Sequence, residues 1–444
     1  MNSLRPIPAL AVILFSSAVF AAPPAGAVAQ APKVAKAPLA KLKVTAVEAS
    51  RAKTHVFKPA HVQRAIAEDQ RDGPSLIVAP KKTVNPNALK PKLNVAKFGE
   101  AVHGAFKDNV RGYALGLRKN GQPVLTLIWE WARSPTQGSK GWTLDTKMHV
   151  ASVSKLMTAI IATKMLDERN LSVDSKIGNY IPTYWNEGNN SNDITFRELL
   201  THRAAFTVYD GDYRSFKGQI EAGVSSSSAD GLDYTNGTFS LVRVLAATMT
   251  GGVARNATFE PPFPMSSANA ALFNDAMWDI KSTAAFLSYA QSKVFTPSGV
   301  ADVSAVPSAN GAYAYALKGD NEGWNSGDVT GQLGGAGFRL SVNEVLNVMG
   351  TFRRKGTIVS PAKAKAAIEA KLGIDQEIDT PAGKIYNKNG AWRTGKSTTD
   401  DIEQSVAFFL QEDMECVVLV NGWIGSQQAS LRNTIRDAYI ANLE

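Results

Sequence analysis

A single cysteine, Cys416, stands in the 444 residues of the chain, so an intrachain disulfide and any cysteine-cluster zinc or iron–sulfur site are excluded. Histidine is nearly as scarce. His55, His61, His103, His149 and His202 are scattered, and none forms the His-Glu-x-x-His pair of a zinc hydrolase. No Gly-x-Ser-x-Gly elbow is present, which argues against a Ser-His-Asp hydrolase. Beyond the N-terminus no apolar run approaches the ~20 residues that span a bilayer. What remains is 44% hydrophobic and 20% charged, enough to bury a substantial core and to exclude a wholly disordered chain. At ~150 residues per domain, the length suits about three folding units or one large two-lobed enzyme.

The N-terminus reads as an address. Arg5 supplies a positive start, and Pro8 to Ala22 follow as a short apolar stretch. Small-x-small triplets come next: Val19-Phe20-Ala21, Ala25-Gly26-Ala27 and Ala27-Val28-Ala29. This is the layout of a secretory signal peptide over 1–29, so a secreted or periplasmic protein without a transmembrane anchor is expected. The net charge of +9 is local, since 14 Lys and Arg stand against 4 Asp and Glu between Pro32 and Phe98. Residues 30–94 are rich in Ala, Lys and Pro and read as an extended, solvated linker. The same basic charge would suit an anionic cell-envelope polymer, and no nucleic-acid partner is expected outside a cell.

The body is expected over 95–444. Val95, Phe98, Val102 and Phe106 share one helical face. Val110–Leu117 and Pro123–Trp131 alternate like strands, and the Asn120-Gly121 pair between them signals a hairpin. A long apolar helix is expected over Val153–Leu166, a second strand pair at Ser405–Leu410 and Glu415–Val420, and a closing helix over Leu431–Leu443. Strands at both ends with helices between them give an α+β fold, an antiparallel sheet flanked by helices plus a mostly helical second domain.

Three short motifs carry chemistry. Ser152-Val153-Ser154-Lys155 opens the apolar helix, where one turn brings the Lys155 amine beside the Ser152 hydroxyl to take or relay its proton. A helix N-terminus also offers free N–H groups to a developing oxyanion. Ser-x-x-Lys recurs at Ser50 and Ser360, but the first lies in the tail and Ser360-Pro361 reads as a helix cap and first turn. The second motif is Tyr234-Thr235-Asn236 before another apolar helix. A tyrosinate beside an ammonium can act as a base, and the Asn236 amide can orient a carbonyl or hold the lysine. The third is Lys388-Asn389-Gly390 before Ala391, a cation for a substrate carboxylate beside a glycine that lets substrate approach a strand edge. Arg393-Thr394-Gly395 is a rival for that place, and Lys119-Asn120-Gly121 shows the same tripeptide acting as a plain turn.

In this order the motifs resemble the serine β-lactamase and penicillin-binding-protein superfamily. The likeness is closer to its branch of class C β-lactamases, D-alanyl-D-alanine carboxypeptidases and esterases. Thr146–Lys155 (TKMHVASVSK), Asp193–Phe206 (DITFRELLTHRAAF), Gly334–Met349 (GGAGFRLSVNEVLNVM) and Val418–Asn421 resemble flanking segments of that family. The resemblance covers about Val95 to Glu444 and implies a β-lactamase/transpeptidase-like fold with the site in the cleft between its two parts. It implies Ser152 as acylated nucleophile, Lys155 as its proton partner and Tyr234 as general base. Asn236, Lys388, Asn389, Gly390 and Ala391 would bind substrate, with the Ser152 and Ala391 N–H groups as oxyanion hole. The substrate would be a D-alanyl peptide, a β-lactam or a small ester, with no cofactor and no metal. Asn389 departs from the usual Thr or Ser, Arg203-Ala204-Ala205 departs from the usual Thr-Ser-Gly, and the spacing from Lys388 to Ser405 is long. These departures leave the nucleophile reading intact and weaken a β-lactam reading; the alternative is a non-catalytic or very slow penicillin-binding-like protein that binds cell-wall peptide.

Overall fold

The computed structural model describes residues 40–42, 44–45, 47–51, 74–79, 90–225, 232–394, 400–425 and 429–444. They belong to the second of the chain's two units, Pro38–Glu444; the first, Met1–Ala37, lies outside them, as does the expected signal segment.

In chain order, a short β1 (Ala40–Leu42) precedes helix α1 (Val95–Phe106), whose Phe98, Val102 and Phe106 are buried as their spacing requires. Asn94 caps it by accepting the Lys97 N–H at 3.1 Å. β2 (Gly112–Lys119) and β3 (Gln122–Arg133) form the expected hairpin. Asn120 and Gly121 both take left-handed backbone (φ 51° and 79°), which matches a two-residue turn to the twist of its strands. Two-residue pieces β4 (Lys140–Gly141) and β5 (Met148–His149) lead to α2 (Val153–Glu168). The middle is mostly helical: α3 (Phe196–Leu200), α4 (Tyr213–Ala222), α5 (Gly237–Met249), a short β6 (Ala257–Phe259) and α6 (Ser267–Ala290). β7 (Arg339–Leu340) pairs back with β5, and α7 (Val342–Gly350) and α8 (Pro361–Glu369) follow. Ser360 caps α8 as a plain N-cap, accepting the Lys363 N–H at 3.3 Å. The chain closes with β8 (Gln376–Thr380), β9 (Gly383–Arg393), β10 (Ile402–Leu410), β11 (Met414–Val420) and α9 (Leu431–Ala441).

Seven strands make one antiparallel sheet in the order β4-β3-β2-β11-β10-β9-β8, so the two ends of the body meet where β2 pairs with β11. Alternation sorts its faces. Tyr113, Leu115 and Leu117 of β2 with Val406, Phe408 and Leu410 of β10 pack against α1 and α9. Ala114, Ala407 and Phe409 face the larger core built on α2, α5 and α6. With both faces covered, β10 and β11 are buried throughout, which is why Val406–Leu410 and Cys416–Val420 read as continuous apolar runs. The sheet flanked by helices with a helical insert is the expected α+β arrangement.

Parts of the stretch expected to be a solvated linker contact the body. β1 runs parallel to β6, pairing Ala40 with Ala257 and Leu42 with Phe259. Glu48 forms an ion pair with Lys281 of α6, and Ala49 is buried in the larger core. Farther on, the Leu76 N–H donates to Thr434 Oγ1 at 3.1 Å and the Ser430 N–H donates to Pro74 O at 3.0 Å. Composition hid this because the docking rests on backbone pairing, one ion pair and isolated side chains such as Ala49, which leave no apolar periodicity to read. Deleting residues 30–79 should therefore lower the melting temperature by roughly 2–6 °C, the scale of ~1–3 kcal/mol in a chain this long. An unchanged melting curve would show that these contacts add nothing.

Candidate active site

Ser152 sits where the chain passes from β5 into α2. The Val150 N–H donates to Phe338 O at 3.0 Å, and Ala151 then takes a left-handed backbone (φ 44°), uncommon for a residue with a side chain. That turn places Ser152 at the N-cap of α2, 2% exposed. An N-cap serine ordinarily accepts from its own helix; this one makes no such bond and accepts instead from Lys155 Nζ at 3.0 Å. The helix start is stitched to the following segment: the Phe338 N–H donates to Ser154 Oγ at 3.0 Å, and Thr158 Oγ1 donates to Gly334 O at 2.7 Å.

Lys155 is wholly buried, and its ammonium donates to Ser152 Oγ (3.0 Å), Asn236 Oδ1 (2.6 Å) and Gly335 O (3.0 Å). Gly335 comes this close because it has no side chain: a Cβ there would stand 2.9 Å from both Asn236 O and Ser240 Oγ. Asn236 is the N-cap of α5, and its own N–H donates to Tyr209 O at 2.8 Å. Two residues earlier, the Tyr234 ring lies between two ammonium groups. Lys155 Nζ is 4.7 Å from its centroid, while Lys388 Nζ is 5.2 Å from the centroid and 3.3 Å from the hydroxyl. His202 lies against the same ring at 4.3 Å between centroids. Its Nδ1 accepts the Thr235 N–H at 3.3 Å. Burial, reinforced by the Lys155 and Lys388 charges, holds the imidazole well below its usual pKa range, so it is neutral beside them.

β9 supplies the other wall. A Cβ on Gly390 would lie 2.6 Å from Val150 O, 2.6 Å from Ser405 Oγ and 2.9 Å from Ser152 N, so only glycine lets this strand reach the backbone of Ser152. Ser405, opposite Gly390 in the register, donates to Val150 O at 2.7 Å and ties β10 to the same turn. Ala391 follows, half-buried and opposite Gln404. The structure thus brings Ser152, Lys155, Tyr234, Asn236, Lys388 and Gly390 together. Of the two candidate third motifs, Lys388 is the one that touches Tyr234. Arg393 pairs with Asp400 at 3.3 Å, Thr394 Oγ1 donates to Asp400 Oδ1 at 3.0 Å, and Gly395 lies outside the described residues.

Two sequence expectations need correction. Lys388 is 1% exposed and bound by Asp375 (Oδ1 2.8 Å, Oδ2 3.0 Å), so it is not an open cation for a substrate carboxylate. Asn389, expected to bind substrate, spends its backbone internally: its N–H donates to Asp375 Oδ2 at 2.9 Å and its carbonyl accepts from Lys388 at 2.8 Å. Strand alternation also puts its side chain on the face away from Lys388 and Gly390. Asp375 itself was missed, because a carboxylate one residue before a strand and thirteen before its lysine belongs to no spacing pattern.

The family model for Beta-lactamase matches residues 94–439. Comparison with curated protein sequences gives no match. Among solved structures, the fold resembles a β-lactamase/D-alanine carboxypeptidase from Pseudomonas syringae (15% identity, 78% of this chain and 97% of that one, TM-score 0.56). It also resembles a class C β-lactamase from Rhodobacter sphaeroides (16% identity, 78% and 96%, TM-score 0.51). A third is an octameric penicillin-binding protein homologue from Pyrococcus abyssi (15% identity, 74% and 71%, TM-score 0.51).

Gly390→Ala should displace the Ser152 turn and cut acylation of Ser152 by about 10²-fold, the cost of an ångström-scale misplacement. Near-normal acylation would show that the close approach is not needed. His202 gives a test on stability. The unfolded chain takes a proton at His202 near the ordinary value of 6.5 and the folded chain does not, so stability is intact above that pH and lost below it. His202→Gln should make the acid limb shallower by up to about 1.4 kcal/mol per pH unit, and an unaltered limb would contradict a buried neutral imidazole.

Proposed function

This chain belongs to the beta-lactamase family of serine hydrolases, and from that premise we propose that it is a secreted or periplasmic enzyme acting through a serine acyl-enzyme on a D-alanyl peptide, a β-lactam or a small ester. One observation carries the reading: Lys155 holds the Ser152 hydroxyl while Tyr234 stands between Lys155 and Lys388. The Lys155 ammonium beside the ring and the hydrogen bond that Lys388 donates to the hydroxyl favour the phenolate of Tyr234, and a phenolate is a base strong enough to take the serine proton. Lys155, with three acceptors for its three N–H groups, acts as the fixed cation that orients Ser152 Oγ and, 4.7 Å from the Tyr234 ring centroid, stabilises its phenolate. Ser152 Oγ then attacks the acyl carbon, and the N–H groups of Ser152 and Ala391 receive the oxyanion. Tyr234 returns the proton to the departing oxygen or nitrogen. Water attacks the ester by the same route, its proton passing to Tyr234 and then to Ser152 Oγ as the acid is released.

The structural relatives described as β-lactamase and D-alanine carboxypeptidase support this range of substrates through the shared fold. The exported location rests on residues 1–29, and the basic tail would meet anionic envelope polymers. The test is intact-protein mass spectrometry after incubation with a fluorescent penicillin and, separately, a fluorophosphonate. An adduct on Ser152, absent in Ser152→Ala, is expected. A penicillin adduct that never decays would make the protein a slow binder, and no adduct from either probe would overturn the reading. Tyr234→Phe should lower turnover by roughly 10²–10⁴-fold; unchanged steady-state rates would remove Tyr234 from the reaction.

A further inference from the structure

The cation that a substrate carboxylate would seek is already occupied in this chain. Lys388 Nζ donates to Asp375 Oδ1 at 2.8 Å, to Asp375 Oδ2 at 3.0 Å and to Asn389 O at 2.8 Å, with Tyr234 Oη at 3.3 Å. An ammonium has three N–H groups, and these contacts use them all. Asp375 is equally committed. Its Oδ2 accepts the Asn389 N–H at 2.9 Å, Arg432 Nη1 of α9 stands 3.7 Å from the same oxygen, and its side chain is 6% exposed. It is therefore built into the wall of the site, held from β9 and α9. A second carboxylate arriving at Lys388 would have to break charge-assisted bonds and would meet a like charge across the same ammonium. The other ammonium at hand, Lys155, is spent on Ser152, Asn236 and Gly335. Position 389 supplies no hydroxyl, and its amide lies across the pleat.

Resting on the serine-hydrolase reading above, we propose that Asp375 is an internal counter-ion filling the carboxylate slot beside Lys388. The site then selects acyl donors without a carboxylate at that position, taking neutral esters and amides in preference to the matching free acids. Asp375 is a positioning and specificity residue: it touches Lys388, not the reacting atoms, and it sets what charge the leaving side of the substrate can carry.

A matched pair of substrates tests this, the m-carbamoylphenyl and m-carboxyphenyl esters of N-acetyl-D-alanine, which differ in one charge on the leaving group. The wild-type protein should show kcat/KM at least about tenfold higher for the carbamoyl ester, the scale of one charge-assisted hydrogen bond. Asp375→Ala should lower turnover of the carbamoyl ester and move the ratio at least about tenfold toward the carboxy ester. Added sodium formate, a small carboxylate that fits the emptied slot, should restore the wild-type ratio. A purely structural role would lower both rates alike and leave the ratio unmoved. Should Asp375→Ala not fold, Asp375→Asn takes its place, and the wild-type ratio needs no variant. Equal or better hydrolysis of the carboxy ester by the wild type overturns the proposal. So does an unmoved ratio in a variant whose Ser152 still takes fluorophosphonate. Failure of the wild-type Ser152 to be labelled at all would overturn the hydrolase reading first, and this proposal with it.

Discussion

Lys155 is a wholly buried ammonium, and a buried cation without its full set of acceptors costs several kcal/mol. Its three acceptors come from three places in the chain: the start of α2, the start of α5 and the carbonyl of Gly335. None of the three can drift without leaving an N–H unsatisfied, so one side chain holds the nucleophile, the Tyr234-Asn236 segment and the 334–338 segment in mutual register. Arg243, also wholly buried, repeats the device one layer deeper. It donates to Gly211 O and Leu333 O at 3.0 and 3.1 Å and pairs with Asp279 of α6 at 2.7 Å. The segment that reaches Lys155 is thus anchored behind by a second cation, and the helical part becomes a rigid support for the site.

Charge around Tyr234 is balanced by type. Two ammonium groups face the ring, and a third cation beside them would be repelled by both. The group that stacks under the ring is instead an imidazole kept neutral by burial and by those same two charges. His202 therefore supplies a flat polar surface without adding charge, and its Nδ1 holds the backbone of Thr235, the residue after the tyrosine. Asp375 binds Lys388 at the same nitrogen that meets the Tyr234 hydroxyl, and so limits how far that cation can swing. Tyr234 is fixed by neighbours that differ in charge and come from four segments of the chain.

Much of this was legible beforehand, and the reason is periodicity. The face of α1, the Asn120-Gly121 hairpin and the buried runs of β10 and β11 are local patterns, and each appears where its spacing put it. Ser152 and Lys155 were legible because one helical turn joins them. Tyr234 and Lys388, 154 residues apart, were legible only through the order of motifs that a family shares. Asp375, Gly335 and Ser405 were not legible, because each acts through a contact that folding creates. Gly335 offers a carbonyl, which no sequence pattern records. The pairing of β1 was not legible for another reason: Ala, Lys and Pro composition reads as linker, and backbone pairing is blind to side-chain type.

Strand register converts this fold into a site. Gly390 faces Ser405 and Lys388 faces Ala407, which places both on the side of the sheet that carries α2, while Asn389 opposite Val406 falls on the other side. A slip of one residue would turn the Asn389 side chain toward Ser152 N, where Gly390 already leaves no room for a Cβ, and would turn Lys388 away from Tyr234. The slip is opposed from a distance. Val406, Phe408 and Leu410 belong to the core under α1 and α9, and Ala407 and Phe409 to the core under α2, so shifting β10 would underfill the first core and overfill the second at once. The hydrophobic pattern of β10, remote from any reacting atom, thereby decides which side chain of β9 meets the nucleophile. The glycine at 390 is tolerable in mid-strand because it keeps its place in the ladder opposite Ser405, and the β10 residues around that pair are buried on both faces.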